Sequence, residues 1–411
     1  MLLINKQKRM YLLMEKHLFG KVVVLFILSA CFLNLSAQEK MYSGNPLFKD
    51  IFTADPCALV YNDTLYLFTG HDEQTSFGKT FLMRDWHVFS TADMVNWTDH
   101  GAKLKATDFP WASGNAFAGH VTEYNGKFWW YVSVTHKYIR VGEGFAIGVA
   151  VADHPLGPYE PTDEPLITDN TRNSLTLNID PAVYVDNGIP WLFWGSWGDA
   201  RMVKLKNNMT ELDGSVKTVN VRDFFEAPWV HKKDGVFYLS YASGYPSTTK
   251  YSTSNSIEGP WTYQGLINDL LPNSETNHQA IIEFKGNWYF VYHNGGLQDG
   301  GTYRRSVCID NLEYNSDGTI KKVIRTSKGV PKVVTTNVKM QIGTENNIEI
   351  TRQPLTERMV KLDYYGKAQN PTPPTYNLLG IRKKMVKSTG LYIFTPKTEA
   401  DGLSKGAFIK R

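Results

Sequence analysis

Three acidic residues in this chain have the types and spacing that acid–base chemistry requires. Asp55, Asp180 and Glu226 each open a segment of the same shape: Asp55-PCALVYNDTLYLF, Asp180-PAVYVDNGIPWLFW and Glu226-APWVHKKDGVFYLSY. Two further segments share that shape, Ala118-GHVTEYNGKFWWYV and His278-QAIIEFKGNWYFVY. Like charges gathered in one place force their pKa values apart, so that one group keeps its proton while another stays ionised. Such a division supplies a general acid and a general base, or an acid and a nucleophile, which is what cleavage of a glycosidic bond needs. A single Asp-Pro is an ordinary turn opener. Three carboxylates at matching positions of separate repeats are not explained by turns.

The elements that must hold these residues follow from the repeats. Each segment has an apolar run, a two-residue turn and an aromatic strand; the turns are Asn62-Asp63, Asn125-Gly126, Asn187-Gly188, Asp234-Gly235 and Lys285-Gly286. Asn-Gly and Asp-Gly between alternating apolar residues signal tight hairpins. The second turn residues are separated by 63, 62, 47 and 51 positions, a spacing that suits blades of about four strands. The expectation is an all-β, five-bladed β-propeller over residues 38–330. Asp55, Ala118, Asp180 and His278 lie eight positions before their markers and Glu226 nine. Equivalent positions sit at equivalent radii, so all five are expected at one end of the axial channel.

Composition narrows the function classes. The chain has 411 residues, 42% hydrophobic and 20% charged, the balance of a globular protein. Aromatics make up 13%, which suits β core and also surfaces that stack on sugar rings. Residues 1–37 read as a signal peptide: Lys6, Lys8, Arg9, Lys16 and Lys21 precede an apolar run that starts at Val22, with a cut expected before Gln38. That run is too short to predict a transmembrane span. Leu28-Ser29-Ala30-Cys31 also reads as a lipobox with Cys31 as the lipidated residue, so the expected location is secreted, periplasmic or outer-surface. Residues 38–330 hold 25 basic and 33 acidic side chains. An acidic catalytic region argues against a nucleic-acid partner and is compatible with a neutral polysaccharide. Cys57 and Cys308 are the two cysteines left after export, and their pairing is left open.

Thr53-Ala54-Asp55-Pro56, Asn178-Ile179-Asp180-Pro181 and Phe225-Glu226-Ala227-Pro228 resemble the three signatures of glycoside hydrolase family 43, together with Asn277-His278-Gln279-Ala280 and Tyr303-Arg304-Arg305-Ser306. The resemblance covers roughly residues 45–330. It implies a five-bladed propeller that inverts the anomeric carbon, with Asp55 as general base, Glu226 as general acid and Asp180 orienting the acid. Before the resemblance, the residues alone left inversion and retention open. By the same family pattern Arg305 is a candidate substrate-binding residue that also keeps Asp55 ionised, while Arg304 on the opposite strand face points elsewhere. His278 is implied to face a structural, largely water-bound Ca²⁺ on the axis.

Substrate contacts are less specific in sequence. His71, Trp86, Trp111, Phe117 and Trp194 are candidates to line subsites, with blade core as the alternative for each. The insertion from Gln74 to Trp86 is expected to wall one end of the channel, favouring removal of terminal or side-branch sugars. Relatives with this pattern suggest xylose or arabinofuranose cleaved from xylan or arabinoxylan. An endo-acting xylanase or arabinanase and a non-catalytic carbohydrate-binding propeller are the alternatives. Ala54 before Asp55 argues against the fructan-cleaving propellers, which open on Asn-Asp-Pro. Residues 331–411 are basic, with 14 Lys/Arg against 6 Asp/Glu, and carry the spacer Asn370-PTPPT. They are expected to form a β-rich or partly disordered extension, serving sorting or attachment or simply packing on the propeller.

Overall fold

The computed structural model describes residues 39–41, 44–74, 79–271 and 273–333, together with strand segments at 336–342, 348–354, 375–376 and 382–383. The expected signal peptide, its Cys31 and most of the C-terminal extension lie outside the described residues.

Each predicted hairpin turn forms, and for one reason. Both central residues of all five turns have positive φ, from Asn62 at 47° and Asp63 at 60° to Lys285 at 51° and Gly286 at 78°. This is the twist that lets a two-residue loop join right-twisted antiparallel strands. Around those turns the chain builds five sheets in sequence order. Blade 1 contains β2 (Thr53–Tyr61), β3 (Thr64–Asp72), β4 (Met83–Thr91) and β5 (Asn96–Lys105), with β1 (Glu39–Met41) added on its outer edge. Blade 2 holds β6 (Ala112–Tyr124), β7 (Lys127–His136), β8 (Phe145–Ala152) and β9 (Glu160–Pro161). Blade 3 holds β10 (Ala182–Asp186), β11 (Ile189–Ser196), β12 (Asp199–Leu205) and β13 (Leu212–Thr218). Blade 4 holds β14 (Glu226–Lys233), β15 (Val236–Ser243), β16 (Thr248–Ser254) and β17 (Thr262–Asn268). Blade 5 has three strands, β18 (Ala280–Phe284), β19 (Asn287–Asn294) and β20 (Ser306–Leu312). Helical structure among the described residues amounts to two short 3₁₀ turns, Ala106–Asp108 and Gly142–Gly144.

The first strands of the blades, β2, β6, β10, β14 and β18, touch one another around the axis. Aromatic side chains fill the wedges between blades: Phe68 of blade 1 meets Trp130 of blade 2 edge-on at 5.0 Å, and the Trp229 indole N–H donates to the Ile281 carbonyl of blade 5. The ring closes through the N-terminal segment. Asn45 Nδ2 donates to the Ile309 and Thr326 carbonyls and to Asp310, while its Oδ1 accepts the Ile309 N–H. One side chain thus binds the start of the chain to the last blade, satisfying the backbone of its outer strand. Cys57 and Cys308 are buried free thiols in different surroundings, so they do not pair. The Val121 N–H donates to Cys57 Sγ, and burial pushes that thiol up to about 12.

Candidate active site

In every blade the first strand runs from the axial mouth to a tight turn, and the second strand returns to the mouth. The residues at the head of β2, β10 and β14 therefore share one face with the loops after β3, β7, β11, β15 and β19. Asp55 and Asp180 occupy that position in the left-handed region, with φ of 48° and 59°. Such conformations are costly for a side chain with Cβ and gather at functional sites. In blade 4 the residue with the matching conformation is Ala227, at φ 56°. Glu226 precedes it, which explains its one-residue offset in the repeat. The ladders show the same thing: register shifts lie between Ala54 and Cys57 in blade 1 and between Glu226 and Trp229 in blade 4.

The heads of the blades are tied to one another by hydrogen bonds. The Asp180 N–H donates to Ser133 Oγ of blade 2, which itself donates to the Ala118 carbonyl. The Ala227 N–H donates to Asp180 Oδ2 at 2.9 Å, and Gln279 Nε2 donates to the Ala227 carbonyl. The Asp55 N–H donates to His293 Nδ1 at 3.2 Å. His293 Nε2 lies 3.1 Å from the Thr276 carbonyl, so that nitrogen carries the proton in the assigned network. His278 Nδ1 stands 3.7 Å from Asp55 Oδ1 and 3.8 Å from Asp180 Oδ2. Its pKa is lowered to about 3 by burial and by Arg305, so these are contacts of a neutral ring.

Arg305 is enclosed by two carboxylates. Its Nη1 donates to Asp55 Oδ1 at 2.8 Å; its Nε, Nη2 and backbone N–H all go to Asp72, at 2.9, 2.9 and 2.8 Å. The Phe81 ring covers the guanidinium at 4.8 Å. Arg304 turns to the other face and lies over Phe52 at 5.3 Å.

Burial dominates the electrostatics. It raises the Asp55 pKa, and the charge and hydrogen bond of Arg305 oppose that rise. Glu226 is pushed up to about 7 by burial and then by Asp55, with Arg305 acting the other way. Asp180 is raised by burial and then by Glu226 and Asp55, against the Ala227 N–H that favours its ionised form. Asp180 and Glu226 titrate as a pair, and the pair holds a proton into the neutral range. The arrangement offers a carboxylate clamped by a cation beside a protonated carboxyl pair.

Asp72 and His293 were not singled out as site residues from sequence. Asp72 is 1% exposed and His293 fully buried. A signal existed for Asp72: it alternates with His71 on β3, so one of the two had to face the neighbouring blade that brings Arg305. Nothing local in the sequence pointed to His293, since its role comes from packing across the blade 1–blade 5 seam.

The aromatic candidates are redistributed. Trp86 and Trp194 are 1% and 0% exposed; their indole N–H groups donate to the Phe117 carbonyl and to Asn178 Oδ1. Both are blade core, and the expectation that they line subsites is corrected. Trp111 is buried against Phe109 and His136. Phe117 is half-buried and stacks on Phe145 at 4.2 Å. His71 is half-buried, with Nδ1 3.0 Å from Asp85. The exposed rings on the mouth face are instead Tyr138, Trp197 and Tyr245. Trp197 sits in the β11–β12 turn at φ 50°, and Tyr245 donates to Glu275. Part of the insertion from Gln74 to Trp86 lies outside the described residues, and its described end carries Phe81.

Residues 43–320 match the family described as glycosyl hydrolases family 43. The chain is 32% identical to a xylosidase/arabinosidase of Humicola insolens over 67% of this chain and 98% of that one. It is 31% identical to a xylosidase/arabinosidase of Bacteroides ovatus, covering 66% and 94%. Among solved structures it resembles a β-xylosidase/α-arabinofuranosidase from a compost microbial metagenome, solved with xylotriose in a calcium-free form. That similarity has 31% identity, a TM-score of 0.62 and coverage of 70% and 98%. An α-L-arabinofuranosidase of Clostridium thermocellum is 38% identical, with a TM-score of 0.59 and coverage of 69% and 98%. A five-bladed propeller with this axial carboxylate constellation, matched over two thirds of its length, belongs to glycosyl hydrolase family 43 and is a glycosidase.

Proposed function

We propose that this enzyme removes single xylose or arabinofuranose units from xylan or arabinoxylan fragments, with inversion at the anomeric carbon. Asp55 acts as the base on water, Glu226 as the acid on the departing oxygen, and Asp180 as the group that orients Glu226 and shares its proton. The observation that carries this reading is the electrostatic asymmetry of the three carboxyls. Asp55 is the one bonded to Arg305, whereas Glu226, raised to about 7, can hold a proton at neutral pH. A general acid needs a pKa near the working pH and a base needs to be ionised there. The relatives named as xylosidases and arabinosidases support pentose substrates. Exposed Trp197 and Tyr245 on the mouth face provide stacking surfaces for sugars beyond the cleaved one.

The stereochemical half of the proposal has a direct test. Proton NMR during the first minutes of nitrophenyl xyloside or arabinofuranoside hydrolysis is expected to show the sugar first as the anomer opposite to that of the substrate. Initial release of the same anomer would assign Asp55 a nucleophilic role and end the single-displacement reading.

We also propose a hydrated Ca²⁺ on the axis at His278. The donor set fits that ion in one way only. His278 offers one neutral imidazole nitrogen, while the nearest carboxylate oxygens are engaged by Arg305 and the Ala227 N–H. A hard cation prefers six to eight oxygens, so water would supply most of them and His278 would hold the hydrated ion. When bound, the ion would add positive charge on the axis and favour ionised Asp55 and Asp180. Thermal unfolding in Ca²⁺ is expected at a higher temperature than in chelator, with the difference lost in His278→Ala. Equal midpoints in the wild type would remove the ion from the proposal.

A further inference from the structure

A second cluster lies on blade 1, apart from the axial carboxylates. His71 Nδ1 is 3.0 Å from Asp85 Oδ1, His87 Nε2 is 3.5 Å from the same oxygen, and all three donor atoms lie within 4.8 Å of one another. Among the described residues it is the one group of three or more His, Cys, Asp or Glu side chains so arranged. Asp85 and His87 are two apart on β4 and share a face of the blade. The β3–β4 register shifts between Gly70 and Asp72, which sets His71 across from them. All three ligands stand on paired strands, so their spacing is built into the sheet.

We propose that His71, Asp85 and His87 form a binding site for a first-row divalent cation, with zinc as the best fit. Two imidazoles and one carboxylate are the ligand types that zinc takes, whereas calcium and magnesium prefer oxygen alone. Tetrahedral zinc with bonds near 2.0–2.1 Å places neighbouring ligand atoms about 3.3 Å apart, and the two measured separations bracket that value. The three side chains are half-buried, which leaves a fourth position for water. Neighbouring charge does not oppose the ion strongly, because Arg84 is paired with Glu73 at 3.1 Å.

The surroundings also hold polar atoms whose hydrogen bonds are unmade. A metal-bound imidazole donates its other ring N–H to an acceptor beside it. His87 Nδ1 is buried with no hydrogen-bond partner, and so is Thr69 Oγ1. Thr69 is the residue directly opposite His87 in the ladder, hence on the same face. An unpartnered ring nitrogen and an unpartnered hydroxyl thus stand at one cross-strand position, beside the proposed ligand His87. The site joins β3 to β4 at the root of the connection that carries Phe81, and His71 directly precedes Asp72, the partner of Arg305.

The test uses the full chain, stripped with chelator and then titrated with Co²⁺ as a spectroscopic stand-in for zinc, with Zn²⁺ displacement followed by calorimetry. The expected result is one Co²⁺ per chain with the intense visible bands of four-coordinate nitrogen and oxygen ligation, displaced by Zn²⁺ and not by Ca²⁺. Asp85→Asn and His87→Ala should each weaken Zn²⁺ binding at least tenfold, and Thr69→Val by a smaller factor, with wild-type-like glycosidase activity in Ca²⁺ and no added Zn²⁺ showing that each variant is folded. Weak octahedral bands, displacement by Ca²⁺, or equal binding by the wild type and a His71→Ala/His87→Ala double variant would each overturn the proposal. The Co²⁺ spectrum of the unaltered protein decides the matter even where a variant fails to fold.

Discussion

Glu226→Gln is expected to lower turnover of xylo-oligosaccharides by about 10³-fold, and turnover of nitrophenyl glycosides by much less. The reason is the leaving group. A sugar alkoxide needs a proton as the bond breaks, whereas nitrophenolate is stable without one, so only the natural substrate depends fully on an acid. The alkaline limb of the pH profile, which reports loss of the proton from the Asp180–Glu226 pair, should also disappear. Stability should move in the opposite direction. The folded pKa of Glu226, about 7, exceeds its ordinary 4.5. Between these values the folded state binds a proton that the unfolded state releases, so stability falls as pH rises through that window. Gln removes that penalty. The variant is expected to gain on the order of 3 kcal/mol relative to the wild type at pH 8, and nothing from this source below pH 4. Denaturant unfolding at the two pH values, beside the two substrate assays, tests both halves. Equal losses on both substrates with an intact alkaline limb would move the acid role away from Glu226.

Asp72→Asn is the second substitution with a large expected effect, although Asp72 is placed as a positioning residue. Three of the four hydrogen bonds between Arg305 and these carboxylates go to Asp72. Its carboxylate holds the guanidinium plane while a single Nη1 reaches Asp55. An asparagine amide would turn a donor toward Arg305 Nε or Nη2, so the clamp shifts. A displacement on the order of 1 Å at a reacting centre costs about 10²-fold in rate, and kcat is expected to fall by that factor with KM little changed. The pH profile separates this from simple loss of fold. Removing the Asp72 charge leaves the Arg305 cation undivided beside Asp55, which favours ionised Asp55 and moves the acid limb to lower pH. Unfolding is expected to be easier by about 3 kcal/mol, since a buried ion pair has lost one member. An unchanged acid limb together with full kcat would show that Arg305 does not need Asp72.

Repetition made most of this protein legible from its residues alone. The five two-residue turns, the alternation on either side of them and the absence of helical periodicity determine five short-stranded sheets, because those signals act between neighbours in the chain. The register of Asp55, Asp180 and Glu226 against the turns was enough to bring them to one mouth, since equal offsets in equivalent blades mean equal radii. Even the offset of Glu226 was visible, although its reason was not: only the backbone shows Ala227 taking the left-handed position that aspartate fills elsewhere. The partners were decided by tertiary structure. Asp72 and Arg305 are more than two hundred residues apart, and His293 meets Asp55 across the seam where the last blade closes on the first. The tryptophans make the same point in reverse. An indole on a strand reads identically whether it faces a sugar or the next blade. Burial between blades put Trp86 and Trp194 in the core and left Trp197 and Tyr245 open on the mouth face, because packing between blades depends on surfaces that no single repeat contains.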